Sequence, residues 1–101
     1  MKVSIITINY NSSSYTIKLV ESLLRHISDE IEYEIIITDN ASTNKDYKYL
    51  TANIPEDNRI KIFRSNINTG FAEGNMKGYY KSSGEYLLFI NNDCFCMNDI
   101  V

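Results

Sequence analysis

The run Glu85-Tyr-Leu-Leu-Phe-Ile-Asn-Asn-Asp93 constrains the fold most. Its apolar stretch, Tyr86 to Ile90, stops abruptly in two amides and a carboxylate. A short continuous apolar run predicts a strand buried on both faces, the kind found in parallel sheets. Open parallel sheets bind ligands at the carboxyl ends of their strands. Asn91, Asn92 and Asp93 therefore sit where such a fold places its chemistry. Asp93 is a hard oxygen donor of the kind that holds Mg²⁺ or Mn²⁺ on a phosphate.

The rest of the chain repeats this theme. Lys2 to Ile8 is β-rich and ends in Asn9-Tyr10-Asn11. Ser12-Ser13-Ser14 supplies helix N-cap residues. Ile17, Val20, Leu24 and Ile27 then recur at helical spacing beside Leu23, which predicts an amphipathic helix over 14–27. His26, the only histidine, falls in its last turn and reads as a helix-end cation. Tyr33 to Thr38 is a second buried strand, ending in Asp39-Asn40-Ala41-Ser42. A weaker helix is expected over 44–53, with Tyr47 and Leu50 inward. Pro55 and a turn at Glu56-Asp57-Asn58 follow it.

Arg59 to Arg64 alternates as a third strand, and Asn66 to Gly70 reads as a loop. A helix is expected from Phe71 to Ser82, with Phe71 and Met76 in the core. Its interior glycines, Gly74 and Gly78, each cost about 1 kcal/mol against alanine, so a close packing partner is expected. Gly84 reads as the residue just past its end. Another helix is expected to begin after Asn98.

The order βαβαβαβ predicts an α/β fold, a Rossmann-like parallel sheet with flanking helices and right-handed crossovers. The expected spatial order is third, second, first, fourth strand, with a crevice between first and fourth. Each strand ends in an amide- or carboxylate-rich segment. One such cluster is ordinary turn chemistry; four on one sheet edge indicate a polar ligand site.

With 101 residues, one domain spanning 1–101 is expected. The net charge is −3 and the basic residues are scattered, which argues against a nucleic-acid partner. No apolar run approaches the ~18 residues of a membrane span. The amino end lacks the architecture of a signal peptide. The expected location is cytoplasmic, including the inner face of the membrane. Cys94 and Cys96 are too close in sequence for an unstrained disulfide and are read as reduced thiols.

Two phosphate devices are missing: no G-x-G-x-x-G follows the first strand, and no G-x-x-x-x-G-K-[ST] occurs. A dinucleotide dehydrogenase and a P-loop enzyme are therefore disfavoured. Asp39 could hold a ribose, but it lacks the glycine-rich partner of that arrangement. Without a cationic loop, a divalent metal is the natural way to neutralise a diphosphate.

Four segments together carry a resemblance. Val3-Ser-Ile-Ile-Thr-Ile-Asn-Tyr-Asn11, Ile35-Ile-Ile-Thr-Asp-Asn-Ala-Ser42, Asn68-Thr-Gly-Phe-Ala-Glu-Gly-Asn75 and Gly84 to Asp93 resemble the successive motifs of family 2 glycosyltransferases. The likeness is nearest to the rhamnosyltransferase-like branch. It implies a GT-A fold, a nucleotide-diphosphate sugar donor, and a glycan or lipid-linked acceptor in polysaccharide or glycoconjugate synthesis. It also implies site residues. Tyr10 would border the base, and Asp39 would accept a hydrogen bond from it. Thr69, Gly70 and Asn75 would line the nucleotide pocket, Gly70 by allowing close backbone approach. Asn91-Asn92-Asp93 occupies the D-x-D position: Asp93 would bind the divalent cation, and Asn92 would face the ribose or sugar. Two amides stand where that motif has a carboxylate and a variable residue, which implies weaker metal affinity.

Other roles stay open. Asn9, Asn11, Asn40 and Asn66 can serve as caps or turn residues, as can Asp39 and Asp93. The family's catalytic base lies beyond the D-x-D, so no catalytic residue is assigned within this chain. The expectation is a donor-binding portion of an inverting hexosyltransferase, truncated after the D-x-D and inactive by itself. Its open sheet edge is expected to form a homodimer through Tyr86 to Val101. The alternative is a non-catalytic nucleotide-binding or interaction module of the same fold.

Overall fold

The computed structural model describes residues 2–67 and 70–92. The expectations for Thr69, Asp93, Cys94, Cys96 and the segment after Asn98 lie outside these residues, as do the surroundings of Phe71 and Gly74. The elements are β1 (Lys2–Asn9), α1 (Ser13–His26), β2 (Glu32–Asn40), α2 (Asn44–Asn53), β3 (Ile60–Ser65), α3 (Gly70–Lys81) and β4 (Tyr86–Phe89). All pairings are parallel and the order is β3-β2-β1-β4.

Strand order places the helices. From β1 to β3 the chain moves across the sheet in one direction, so right-handed crossovers put α1 and α2 on one face. The step from β3 to β4 reverses direction and puts α3 on the other. Side-chain parity follows, because residues alternate between faces. Val3, Ile5, Tyr33, Ile35 and Ile37 form a buried core with Ile17, Val20, Leu23 and Leu50 from α1 and α2. Ser4, Ile6, Glu34, Ile36 and Thr38 face the α3 side.

Gly78 explains the close approach of α3. A Cβ built there would lie 2.3 Å from Ile6 Cγ2, inside van der Waals contact. Gly78→Ala is expected to destabilise by roughly 1–3 kcal/mol despite its better helix propensity, because overpacking outweighs propensity. Urea unfolding measures this; an unchanged midpoint would place α3 farther from the sheet. Gly84 has a different role from the one expected. It shows no positive φ, and a Cβ there would meet Ser4 Oγ at 2.4 Å and Ser4 N at 2.7 Å. Here glycine permits β4 to enter beside β1, and its N–H donates to Ser4 Oγ (2.8 Å).

At this amino end of the sheet, Glu34 is a buried anchor. It accepts from Ser4 Oγ (2.6 Å), Lys61 Nζ (2.9 Å), Ser83 N (2.7 Å) and Ser83 Oγ (3.1 Å). Burial opposes its ionisation, but the hydrogen bonds from Ser4, Lys61 and Ser83 outweigh it and hold the carboxyl down to about 2. One side chain thus joins β1, β2, β3 and the α3–β4 connection.

Two expectations are corrected. β4 is not buried on both faces: Tyr86, Leu87 and Phe89 are 57%, 37% and 45% exposed. Among the described residues it is an edge strand, and an apolar run in sequence does not reveal which neighbours cover its faces. Met76 is not core either, at 45% exposure. Among the described residues no helix is long and apolar enough to cross a membrane.

Candidate functional site

β4 ends at Phe89 beside Ile6 while β1 runs on to Asn9, and a crevice of about 420 Å³ opens there, at the switch in strand order. Ile8, Phe89 and Ile90 form its apolar floor, and Ser12, Tyr15, Asn75, Asn91 and Asn92 its polar rim. Asn75 and Asn92, from α3 and the end of β4, therefore meet at one place. Ser12 and Tyr15 were not anticipated. Their signal was positional, since the first turn of α1 starts at the switch point.

A buried polar network supports the rim. Asn9 Nδ2 lies 2.8 Å from Asp39 Oδ1, 3.0 Å from Asp46 Oδ2 and 3.2 Å from Ser42 Oγ. Asn9 Oδ1 accepts from Thr16 Oγ1 (2.7 Å). Asn92 Nδ2 in turn donates to Ser12 Oγ (2.6 Å) and Thr16 Oγ1 (3.0 Å). Ser12 makes no side-chain cap for α1; its hydroxyl serves Asn92 and the Tyr10 amide instead.

The other expected site residues occupy distinct places. Asp39 has no exposed surface. Besides Asn9, its carboxylate accepts from Ser42 N (3.2 Å) and faces Arg64 Nε at 3.5 Å. In this arrangement the carboxylate is committed to the loop after β2. Its parity explains this, because Asp39 shares a face with Ile35 and Ile37, toward α1 and α2. Arg64 also donates to Ser42 O (2.9 Å) and stacks on Tyr47, 4.3 Å from the ring centroid. Tyr10 is exposed in the loop after β1, outside the crevice walls. Gly70 begins α3 at φ +83°, and its carbonyl accepts from Asn40 Nδ2 (3.2 Å).

The two loops are also stitched to each other. Asn11 N donates to Ser42 Oγ (2.9 Å), and Thr43 N donates to Asn11 Oδ1 (2.8 Å). Asp46 bridges to α1 by accepting from Ser13 N (3.1 Å) and Ser13 Oγ (2.8 Å). Burial opposes its charge, but hydrogen bonds from Asn9, Ser13 and Ser42 prevail and lower its pKa below the ordinary carboxylate value. Ala41 adopts φ 63° in the same loop. The left-handed region costs an L-residue roughly 1–2 kcal/mol, against about 0.4–1 kcal/mol for the extra freedom of glycine in the unfolded chain. Ala41→Gly is therefore expected to raise stability by up to about 1 kcal/mol, the reverse of the usual sign. A lower denaturation midpoint would contradict it.

Among the described residues, no group of three His, Cys, Asp or Glu side chains comes together to hold a metal. The crevice offers the amide groups of Asn91 and Asn92. Amide oxygens suit a hard cation that keeps its waters and takes only one or two carboxylates. The donor set therefore fits Mg²⁺ or Mn²⁺ as a supplement to a carboxylate.

The chain matches the family model described as glycosyl transferase family 2 over residues 4–101. An uncharacterized glycosyltransferase of Haemophilus influenzae is 33% identical over 97 residues, covering 96% of this chain and 38% of that protein. The poly(ribitol-phosphate) beta-N-acetylglucosaminyltransferase TarS of Staphylococcus aureus is 31% identical over 101 aligned residues, covering 92% of this chain and 16% of that protein. The chain thus spans well under half the length of either relative. The crystal structure of S. aureus TarS 1-349 in complex with UDP-GlcNAc matches with a TM-score of 0.77 at 26% identity, over 92% of this chain and 27% of that one. A mannosyltransferase from Pyrobaculum calidifontis, in complex with GDP-Man and Mn²⁺, matches at TM-score 0.78 and 16% identity, over 94% of this chain and 28% of that one; this likeness is one of fold alone.

Proposed function

The chain belongs to glycosyl transferase family 2, and on that premise we propose that it binds the nucleoside diphosphate of a sugar donor in the β1–β4 crevice. The observation that carries this reading is the meeting of Asn75 and Asn92 at the switch point of a GT-A sheet. Asn92 faces the ribose or the sugar, and Thr69, Gly70 and Asn75 line the nucleotide side. Tyr10, exposed beside the first turn of α1, borders the base. Asp39 contributes from beneath by fixing the loop after β2.

Asp93, with the Asn91 amide near it in sequence, would hold a divalent cation, Mg²⁺ or Mn²⁺. When bound, it supplies positive charge against the departing diphosphate. In the inverting reaction the anomeric carbon–diphosphate bond breaks and a bond to the acceptor oxygen forms. The acceptor hydroxyl gives its proton to a carboxylate base. No residue of this chain is assigned that base, so residues 1–101 bind donor without transferring it. The acceptor is a glycan or lipid-linked hydroxyl, and the rhamnosyltransferase-like branch rests on Asn68 to Asn75 and Asn91 to Asp93.

A thermal-shift panel of UDP, dTDP, GDP and CDP sugars, with and without Mn²⁺, tests this reading. One nucleotide is expected to stabilise the chain, more so with metal, and Asp93→Ala to abolish only the metal-dependent part. No stabilisation by any of the four would overturn it.

The exposed edge of β4 gives a separate expectation. Its exposed Tyr86, Leu87 and Phe89 side chains, on a strand with no further neighbour among the described residues, invite pairing with a second copy. The 101-residue chain is expected to dimerise through this edge, and Leu87→Lys to return it to monomer. Light scattering decides; a monomer at high concentration contradicts the pairing.

A further inference from the structure

Asn92 carries both an amide donor and an amide acceptor, and the network beneath it decides which one a ligand meets. The order of constraint starts at the carboxylates. Asn9 Nδ2 points at Asp39 Oδ1 and Asp46 Oδ2, and an ionised carboxylate only accepts. Asn9 is therefore fixed with its oxygen toward Thr16. The Thr16 hydroxyl has one proton, and Asn9 Oδ1 at 2.7 Å takes it. What remains on Thr16 Oγ1 is a lone pair, which accepts from Asn92 Nδ2 at 3.0 Å. The second Asn92 N–H goes to Ser12 Oγ at 2.6 Å. Both donors of Asn92 are spent inside the protein, and only its oxygen is left for a ligand.

We propose that Thr16 is a positioning residue, which turns the Asn92 amide so that Oδ1 accepts from a hydroxyl of the bound donor. Thr16 is fully buried and touches no ligand itself. The arrangement excludes the opposite use of Asn92, in which its N–H groups would hold a phosphate oxygen. It is also directional: the carboxylates of Asp39 and Asp46 set the polarity of a side chain three hydrogen bonds away. This inference rests on the proposed nucleotide-sugar reading for its ligand, but its geometry does not.

The test compares Thr16→Val, which keeps the shape and removes the hydroxyl, with Thr16→Ser, which keeps the hydroxyl. In the ligand-free, ¹⁵N-labelled chain, the Asn92 side-chain NH₂ pair is expected to exchange slowly with water. It should exchange fast in Thr16→Val and slowly again in Thr16→Ser. Whichever of UDP, GDP, dTDP or CDP sugars binds the native chain in Mg²⁺ should bind Thr16→Val about 3- to 10-fold more weakly, the worth of one neutral hydrogen bond. Thr16→Ser should bind like the native chain. In an Asn92→Leu background, Thr16→Val should have no further effect, because Thr16 acts only through Asn92. A fast-exchanging Asn92 amide in the native chain, or an equal loss from Thr16→Val in the Asn92→Leu background, overturns the proposal. If none of the nucleotides binds, the proposed function fails, and the exchange measurement still judges the positioning role.

Discussion

Glu34→Ala is expected to remove about 3 kcal/mol of stability at neutral pH, a large share of what a domain of this size possesses. The carboxylate is buried, so its loss leaves Ser4 Oγ, Ser83 N and Ser83 Oγ without their acceptor inside the protein. Its two lysine partners, Lys61 at 2.9 Å and Lys2 at 3.8 Å, matter less. Lys61 is 43% exposed at the side chain and can return to water. Lys61→Ala should therefore cost no more than about 1 kcal/mol, as exposed ion pairs do. The native chain should also show a matching acid dependence. The Glu34 carboxyl is held down to about 2, against 4.5 ordinarily. A depressed value stabilises above the unfolded value and is lost as pH falls through the folded one. Stability worth about 3 kcal/mol should thus disappear between roughly pH 4.5 and 2, at 1.36 kcal/mol per unit. Glu34→Gln should lack this component. Parallel acid unfolding curves for native and Glu34→Gln chains would remove Glu34 from the account.

Asn9→Asp should have the opposite pH signature. The change barely alters shape, but it replaces the NH₂ group that serves Asp39 and Asp46 by an oxygen. Three carboxyl groups would then crowd a buried site, with Thr16 Oγ1 also in contact. A cost of roughly 3–5 kcal/mol is expected at neutral pH, the penalty of an uncompensated buried charge. As pH falls, one of the three takes up a proton and the deficit relative to the native chain should narrow. Asn9→Leu, which removes polarity without adding charge, should be destabilised without that recovery. Chemical unfolding at pH 7 and pH 5 separates the two. A deficit for Asn9→Asp that stays constant with pH would mean that Asn9 does not join these carboxylates.

Much of the fold can be read from periodicity. The helix over 44–53 has those bounds in the structure, the first helix is displaced by one residue, and the strand order is the expected one. The amphipathic spacing of Ile17, Val20 and Leu23 and the polar stop after each strand suffice for this. The errors concern what covers a residue, which local sequence does not encode. Tyr86 to Phe89 is as apolar as β2 and takes its expected place beside β1, yet Tyr86, Leu87 and Phe89 are exposed. Met76 sits on an apolar-looking helix but on its outer side. Gly84 resembles a helix terminator and is instead a point of contact with Ser4.

The site divides in the same way. The family resemblance points to Asn75 and Asn92, and both line the crevice at the switch point. The resemblance implies a hydrogen bond from the base to Asp39; parity with Ile35 and Ile37 puts its carboxylate on the α1–α2 side, buried against Asn9 and Ser42. That parity was available in the sequence. Glu34 was also within reach: it is a charge inside an otherwise apolar strand, in the same parity as Ser4 and Lys61. What could not be read is the path from Asn9 through Thr16 to Asn92, since residues 7 and 76 positions apart in sequence meet only in three dimensions.

The most direct test of the donor-binding crevice is backbone amide NMR of the labelled chain, titrated with UDP, GDP, dTDP and CDP in Mg²⁺. One nucleotide should shift Ser12, Tyr15, Asn75 and the segment from Phe89 to Asn92 together. Glu34, Lys61 and Ser83, at the opposite end of the sheet, should stay in place. Binding that moves only residues outside this crevice, or no binding by any of the four, would contradict the account.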